Sequence, residues 1–186
     1  EILMTEALNG AKSEGADTEL LSLADKEIKP CDACDSCEET NECRITDDMQ
    51  LIYQKMVEAD GIIFGTPIYF YNMSSQAKAL IDRCYAIRRQ RIELANKVGA
   101  VITVAQRQGT SSAIKEFYMF FVVNRMLCGD FVSGLASEKG AIRKDQFAMK
   151  SSWELGREVV LIARRKFEFP DEFTLPLRLC VLNKYK

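Results

Sequence analysis

The sequence predicts an α/β domain, a doubly wound parallel sheet with helices on both faces, and three observations carry that prediction. Two short apolar runs, Gly61 to Gly65 (GIIFG) and Val98 to Ala105 (VGAVITVA), have the continuous hydrophobicity of strands buried on both sides. Segments with apolar residues at helical spacing alternate with them, and such alternation implies right-handed crossovers and a parallel sheet. With 186 residues, 47% hydrophobic and 28% charged, the chain has enough apolar material for one core, and no repeat, low-complexity stretch or linker divides it.

Residues 1–14 follow a helical pattern, with Ile2, Leu3, Ala7, Leu8 and Ala11 on one face and Gly15 as the stop. Thr18 to Leu23 reads as a short strand, after which Pro30 opens a cysteine-rich segment over 30–46. Thr46 as N-cap, with Asp47 and Asp48 at the positive helix end, starts a helix carrying Met49, Ile52, Tyr53, Met56 and Val57 that ends near Asp60. The GIIFG strand runs into the loop TPIYFYNM, and a helix from Ser74 puts Ala77, Leu80, Ile81, Cys84 and Tyr85 on its core stripe. Val98 to Ala105 is the next strand. Thr110 to Leu127 is a helix with Ile114, Phe117, Phe121 and Val122 inward, Gly129 to Val132 a strand, and Asp145 to Lys166 the last long helix. Residues 1–166 thus form the domain, and 167–186, with Pro170 and Pro176, an extension that packs on its own domain or on a neighbouring subunit.

The chain contains no histidine, which removes the usual neutral-pH acid and base, the Ser-His and Cys-His nucleophile pairs and every histidine-containing metal site. Its chemistry has to come from a cofactor or from other side chains. A formal charge of -2 offers no electrostatic footprint for nucleic acid. No apolar run approaches the roughly 18 residues of a membrane-spanning helix, and the N-terminus lacks a signal-peptide pattern. The expectation is a soluble, cytoplasmic protein with neither nucleic acid nor membrane as partner.

Four of the seven cysteines, Cys31, Cys34, Cys37 and Cys43, crowd into 13 residues, while Cys84, Cys128 and Cys180 are scattered in apolar surroundings and read as core. The spacing C-x2-C-x2-C-x5-C is close to the bacterial ferredoxin run C-x2-C-x2-C-x3-C-P, with a longer last gap and no following proline. Cys43 therefore departs furthest from that run. Only one set exists, so all four thiolates are available to a single iron–sulfur cluster, and successive x2 spacings suit ligands splayed onto different irons. Zinc in a four-thiolate tetrahedral site is the main competitor, and free or disulfide-bonded cysteines are the third reading. Asp32, Asp35, Glu38 and Glu39 interleave with the cysteines; they would depress a cluster's reduction potential, or simply solvate the loop.

The loop TPIYFYNM leaves a buried strand at its carboxyl end, the place where doubly wound sheets bind ligands. Its backbone can face the edge of a planar heterocycle while Tyr69, Phe70 or Tyr71 covers the ring.

Here the residues resemble a family. GTPIYFYNMSSQAKALIDR resembles the flavin-binding loop of flavodoxin-like NAD(P)H-dependent FMN reductases and quinone reductases, and with the upstream cysteines the chain resembles the iron-sulfur flavoproteins of anaerobic archaea and bacteria, from about Glu1 to Lys166. The resemblance implies a flavodoxin-like fold holding FMN and one [4Fe-4S] cluster per subunit, in a homodimer or homotetramer. It implies that Thr66, Pro67, Ile68, Tyr69, Phe70, Tyr71, Asn72 and Met73 contact the isoalloxazine ring, and that Gln106, Arg107, Gly109 and Thr110 belong to a second ring-side loop. Family members begin with a buried strand and a loop that cradles the FMN phosphate at the first helix's N-terminus. This chain starts inside that helix, so both are expected upstream of Glu1, and QRQGTSS is shorter and less glycine-rich than the corresponding family loop. The implied activity is electron transfer from a ferredoxin-like donor through the cluster to FMN and on to an acceptor, with no side chain needed as acid or base. An NAD(P)H-dependent FMN or quinone reductase with a structural zinc, and a non-catalytic redox sensor, are the alternatives.

Overall fold

The computed structural model describes residues 1–176, and parallel strands form its frame: β1 (Gly61–Tyr69), β3 (Val98–Ala105) and β4 (Leu127–Leu135). A two-residue strand, β2 (Asn72–Met73), folds back antiparallel on the end of β1, so the sheet order is β2-β1-β3-β4. The register runs from Gly61 opposite Val98 to Pro67 opposite Val104, and β4 follows β3 with one irregularity between Gly99 and Val101.

Strand alternation divides the core between the two faces. Val98, Ala100 and Ile102 pack with α1 (Ile2–Ser13) and α6 (Gln146–Ala163), through Leu3, Ala7, Leu155 and Val159. The two helices cross in backbone contact, because a Cβ on Gly10 would lie 1.8 Å from the Trp153 carbonyl oxygen and one on Gly156 would lie 1.7 Å from that of Ala7. On the other face Phe64 and Val101 pack with α3 (Met49–Glu58), α4 (Ser75–Arg83) and α5 (Thr110–Val123). Phe64 stacks at 5.3 Å from Phe117 and 5.6 Å from Phe121, both buried. Truncating either to alanine would cost about 3–5 kcal/mol. Both faces are covered, as the sequence predicts.

Several elements differ from expectation. Thr18 to Leu23 has no regular secondary structure and is not a strand. Leu21 and Leu23 pack against the core, yet among the described residues no strand pairs with 61–67 on the outer side of β1, so the segment has no ladder to join. β1 continues to Tyr69, through half of the predicted loop, because its ladder to β3 holds as far as Pro67. Thr46 is not the cap of α3: the helix starts from Asp48, whose side chain makes no capping bond, and Asp47 Oδ1 accepts from the Met49 amide at 3.0 Å instead. The predicted helix to Leu127 stops at Val123, where Asn124 turns back on the Phe120 carbonyl and Arg125 adopts a left-handed conformation (φ 54°). The next strand begins at Leu127, the last residue of the predicted helix, and runs to Leu135 rather than ending at Val132.

Cys84 is buried as expected, but Cys128 is exposed, because β4 is the edge of the sheet. Val122 is likewise 56% exposed rather than inward. Cys180 lies outside the described residues. Of the extension, 167–176 packs on its own domain: the Phe169 amide donates to Asn96 Oδ1 at 2.8 Å, and the carbonyl of Thr174, in the short helix α7 (Asp171–Thr174), accepts from Ile92 at 3.1 Å. No described helix is long and apolar enough to cross a membrane.

Candidate functional site

β1 ends in a two-residue hairpin. Ile68 pairs with Met73 and Tyr69 with Asn72, which leaves Phe70 and Tyr71 as the turn, with φ of 47° and 69°. Two left-handed residues match the twist of a tight hairpin, but Asn-Gly or Asp-Gly normally fill those places. Aromatic residues there are strained, and such strain clusters at ligand sites. Phe70 is 98% exposed, and Tyr69 and Tyr71 also face solvent.

Side chains tie the hairpin to the helix after it. The buried Thr66 hydroxyl accepts from the Ser74 amide at 3.0 Å and donates to the Pro67 carbonyl at 2.9 Å. Ser74 Oγ in turn caps α4 by accepting from Ala77 at 3.3 Å. Met73 is buried, and Asn72 Nδ2 donates to Glu116 Oε1 on α5 at 3.2 Å.

The second predicted loop, from β3 to α5, meets this hairpin. Gln106 and Arg107 are exposed, and Gly109 has φ 102° and sits so close that a Cβ would fall 2.8 Å from Tyr71 Cα and 3.0 Å from Ile68 Cγ2. Only glycine allows both that backbone and that approach. Gln108, within the same loop, donates from Nε2 to the Tyr71 hydroxyl at 3.3 Å. The structure therefore joins 66–73 and 106–110 in one surface at the carboxyl ends of β1 and β3. Met4, on α1, abuts Gly65 in β1, below the same rim. A groove of about 610 Å³ along α5 and β4 shares only Thr110 with the predicted residues. Two loops in contact and exposed aromatic side chains suit the covering of a planar ring.

The cysteine segment curls rather than extends. Ala33, Asp35 and Asn41 have φ of 54°, 55° and 59°, so left-handed residues alternate with the cysteines ahead of the single turn α2 (Cys37–Thr40) and again after it. All four thiols are free: Cys31 and Cys34 exposed, Cys43 half-buried, Cys37 buried. The Ser36 hydroxyl donates to Cys34 Sγ at 3.4 Å and, with the Ser36 amide and the nearby Arg44, holds that thiol below the ordinary range. Burial pushes the Cys37 thiol up, and Cys43 and Cys34 add to that. Among the described residues no three Cys, Asp or Glu side chains stand in metal-holding geometry, so the four cysteines share one curled segment without their sulfurs drawn together. The donor chemistry, four thiols and no histidine, fits a soft metal or an iron–sulfur cluster.

Arg83, in the last turn of α4, closes this segment at both ends. Its side chain is 0% exposed, and Nη1 donates to the Lys29 carbonyl at 2.9 Å and to Asp47 Oδ2 at 2.7 Å. Nη2 donates to the Ile45 carbonyl at 3.0 Å and to Asp47 Oδ1 at 3.1 Å. Asp47 also accepts from the Lys29 amide at 2.9 Å. Burial alone would raise the Asp47 carboxyl, but the guanidinium and the amides of Lys29 and Met49 outweigh it and hold the group below the ordinary carboxylate range. Asn41 makes a second anchor: Oδ1 accepts from the amides of Arg89 and Gln90, both at 3.0 Å, and Nδ2 donates to Glu93 at 3.3 Å. Sequence reasoning missed Arg83 and Asn41 and read Asp47 only as a helix-start charge. The available signal was a lone arginine three residues beyond Leu80, on the apolar stripe of α4, where a charge needs a partner.

The NADPH-dependent FMN reductase family matches residues 1–135. An iron-sulfur flavoprotein of Methanocaldococcus jannaschii is 36% identical over 173 residues, covering 88% of this chain and 89% of its own length. One from Methanosarcina thermophila is 37% identical over 129 residues, 68% of either chain. Among solved structures, RosB with bound 8-demethyl-8-formylriboflavin-5'-phosphate superposes with a TM-score of 0.75 at 17% identity, over 99% of this chain and 79% of RosB. An archaeal flavodoxin superposes at 0.55 and 16% identity, over 87% and 89%. These two establish a flavodoxin-like fold.

Proposed function

The chain belongs to the NADPH-dependent FMN reductase family, among its iron-sulfur flavoproteins, and is a flavoprotein oxidoreductase; we propose that it moves electrons between a ferredoxin-like donor and an acceptor, with a [4Fe-4S] cluster and FMN as its redox groups, in a homodimer or homotetramer. The observation that carries this reading is the way α4 joins the two predicted sites. Its N-cap is fastened to the hairpin through Thr66 and Ser74, and its last turn binds both ends of the cysteine segment through Arg83. Nine residues at 1.5 Å each make α4 about 13 Å long, so its hairpin end and its Arg83 end lie about that far apart.

Cys31, Cys34, Cys37 and Cys43 would hold the cluster as thiolates. Thr66 to Met73 and Gln106 to Thr110 would hold the flavin ring, with the exposed Tyr69 and Tyr71 excluding water from it. When bound, the cluster exchanges single electrons and FMN stores one or two. The chain's own work is to bind, orient and shield, which agrees with the absence of histidine.

Anaerobic stopped-flow with reduced ferredoxin and, separately, NADPH tests the donor. Fast bleaching of flavin absorption by ferredoxin and slow bleaching by NADPH is expected. The reverse order, in protein holding zinc, would assign the alternative NAD(P)H-dependent reductase.

A further inference from the structure

Arg83 lies outside both predicted sites, yet it touches the backbone two residues before the first cysteine and two residues after the last one. The segment between Lys29 and Ile45 makes one helical turn and otherwise no regular structure, so its shape depends on what fixes its ends. Those ends meet at one side chain. The fork of Arg83 reaches the Lys29 and Ile45 carbonyls and takes both carboxylate oxygens of Asp47, a geometry that lysine, a point charge on a flexible stem, does not reproduce. The Lys29 amide closes the ring onto Asp47, and the Arg83 carbonyl accepts from the Tyr53 hydroxyl at 2.6 Å, fixing the base of the fork to α3.

We propose that Arg83 is a positioning residue for the cysteine segment: with Asp47 it closes the segment into a loop of fixed mouth, and so sets how firmly the four thiolates retain their cluster. This rests on the cluster reading above. Partners that orient metal ligands from behind typically change metal retention about 10- to 100-fold when replaced. Bidentate pairing to Asp47 and two carbonyls puts Arg83 in that position for all four cysteines at once.

Two of the cysteines supply the test. Cys37 is buried within the segment, whereas Cys84 is buried in the main core next to Met56, so the first reports opening of the segment and the second opening of the fold. Full-length protein prepared without oxygen, as wild type, Arg83→Lys and Asp47→Asn, is exposed to an iron chelator and iodoacetamide, with iron release and labelling at each cysteine followed by absorption and peptide mass spectrometry. The expected result is iron release about tenfold faster in both variants, with Cys37 labelling rising clearly more than Cys84 labelling and FMN content unchanged. Cys37 labelling equal to wild type, or Cys37 and Cys84 rising in parallel, would overturn the proposal. If the wild type holds no iron, the cluster reading fails by itself, and the ratio of Cys37 to Cys84 labelling still judges Arg83.

Discussion

From Thr66 to Met73 the backbone stays in the ladder of the sheet almost to its turn, whereas from Pro30 to Arg44 it makes one helical turn and relies on side chains from elsewhere. Both regions bend through left-handed residues, Phe70 and Tyr71 in one, Ala33, Asp35 and Asn41 in the other. The strain at the hairpin is borne by strand pairing on either side. In the cysteine segment it is borne by Arg83 at the ends and Asn41 in the middle. The hairpin should therefore keep its shape with nothing bound, and the segment should depend on its clamp and its ligand.

The largest break in that comparison comes from Arg83→Gln, which leaves the Asp47 carboxylate buried without its counter-charge and is expected to cost about 3 kcal/mol or more in urea unfolding at neutral pH. The pH dependence has a definite sign. Asp47 is held below its ordinary value of 3.8, so the clamp's contribution is complete above that value and is lost as pH falls through the lowered one. Wild type and Arg83→Gln should differ most near neutrality and converge in acid. A constant difference down to pH 2 would remove the ion pair from the account.

Gly109→Ala probes the other region. The added Cβ meets Tyr71 backbone at a φ of 102°, so a loss of about 2 kcal/mol and weaker FMN binding are expected, with the cysteine segment's iron content unchanged. Unaltered FMN affinity, read by fluorescence titration, would separate 106–110 from the flavin site.

The smallest effect lies within the cysteine segment. The thiolate is the species that reacts, so Cys34, held below the ordinary range by Ser36 and Arg44, should reach its labelling plateau at lower pH than Cys37, which burial pushes up. The opposite order in metal-free protein would contradict the local geometry.

The sheet and its covering helices were legible because strands such as VGAVITVA are buried on both faces, and most stripe residues of α3 to α6 face inward, with Val57, Tyr85 and Val122 exposed instead. The end of β1 was not, since Pro67 and the aromatic pair look like loop while the ladder to β3 runs through them. Thr18 to Leu23 has the composition of a strand, but strand formation is a property of a pair. Cys128 looked like core because its neighbours are apolar; edge position, which sequence does not display, exposes it. The candidate loops were visible from local residues, yet their contact through Gly109 and Tyr71 was not. Arg83 and Asp47 are 36 residues apart, and a lone charge on an apolar stripe announces a need for a partner without naming it.

The central claim is that the cysteine segment serves a redox cluster beside a flavin. Iron, acid-labile sulfide, zinc and FMN analysis on protein prepared without oxygen tests it most directly. The account predicts about four iron, about four sulfide and about one FMN per chain. About one zinc per chain, with neither iron nor sulfide, would contradict it.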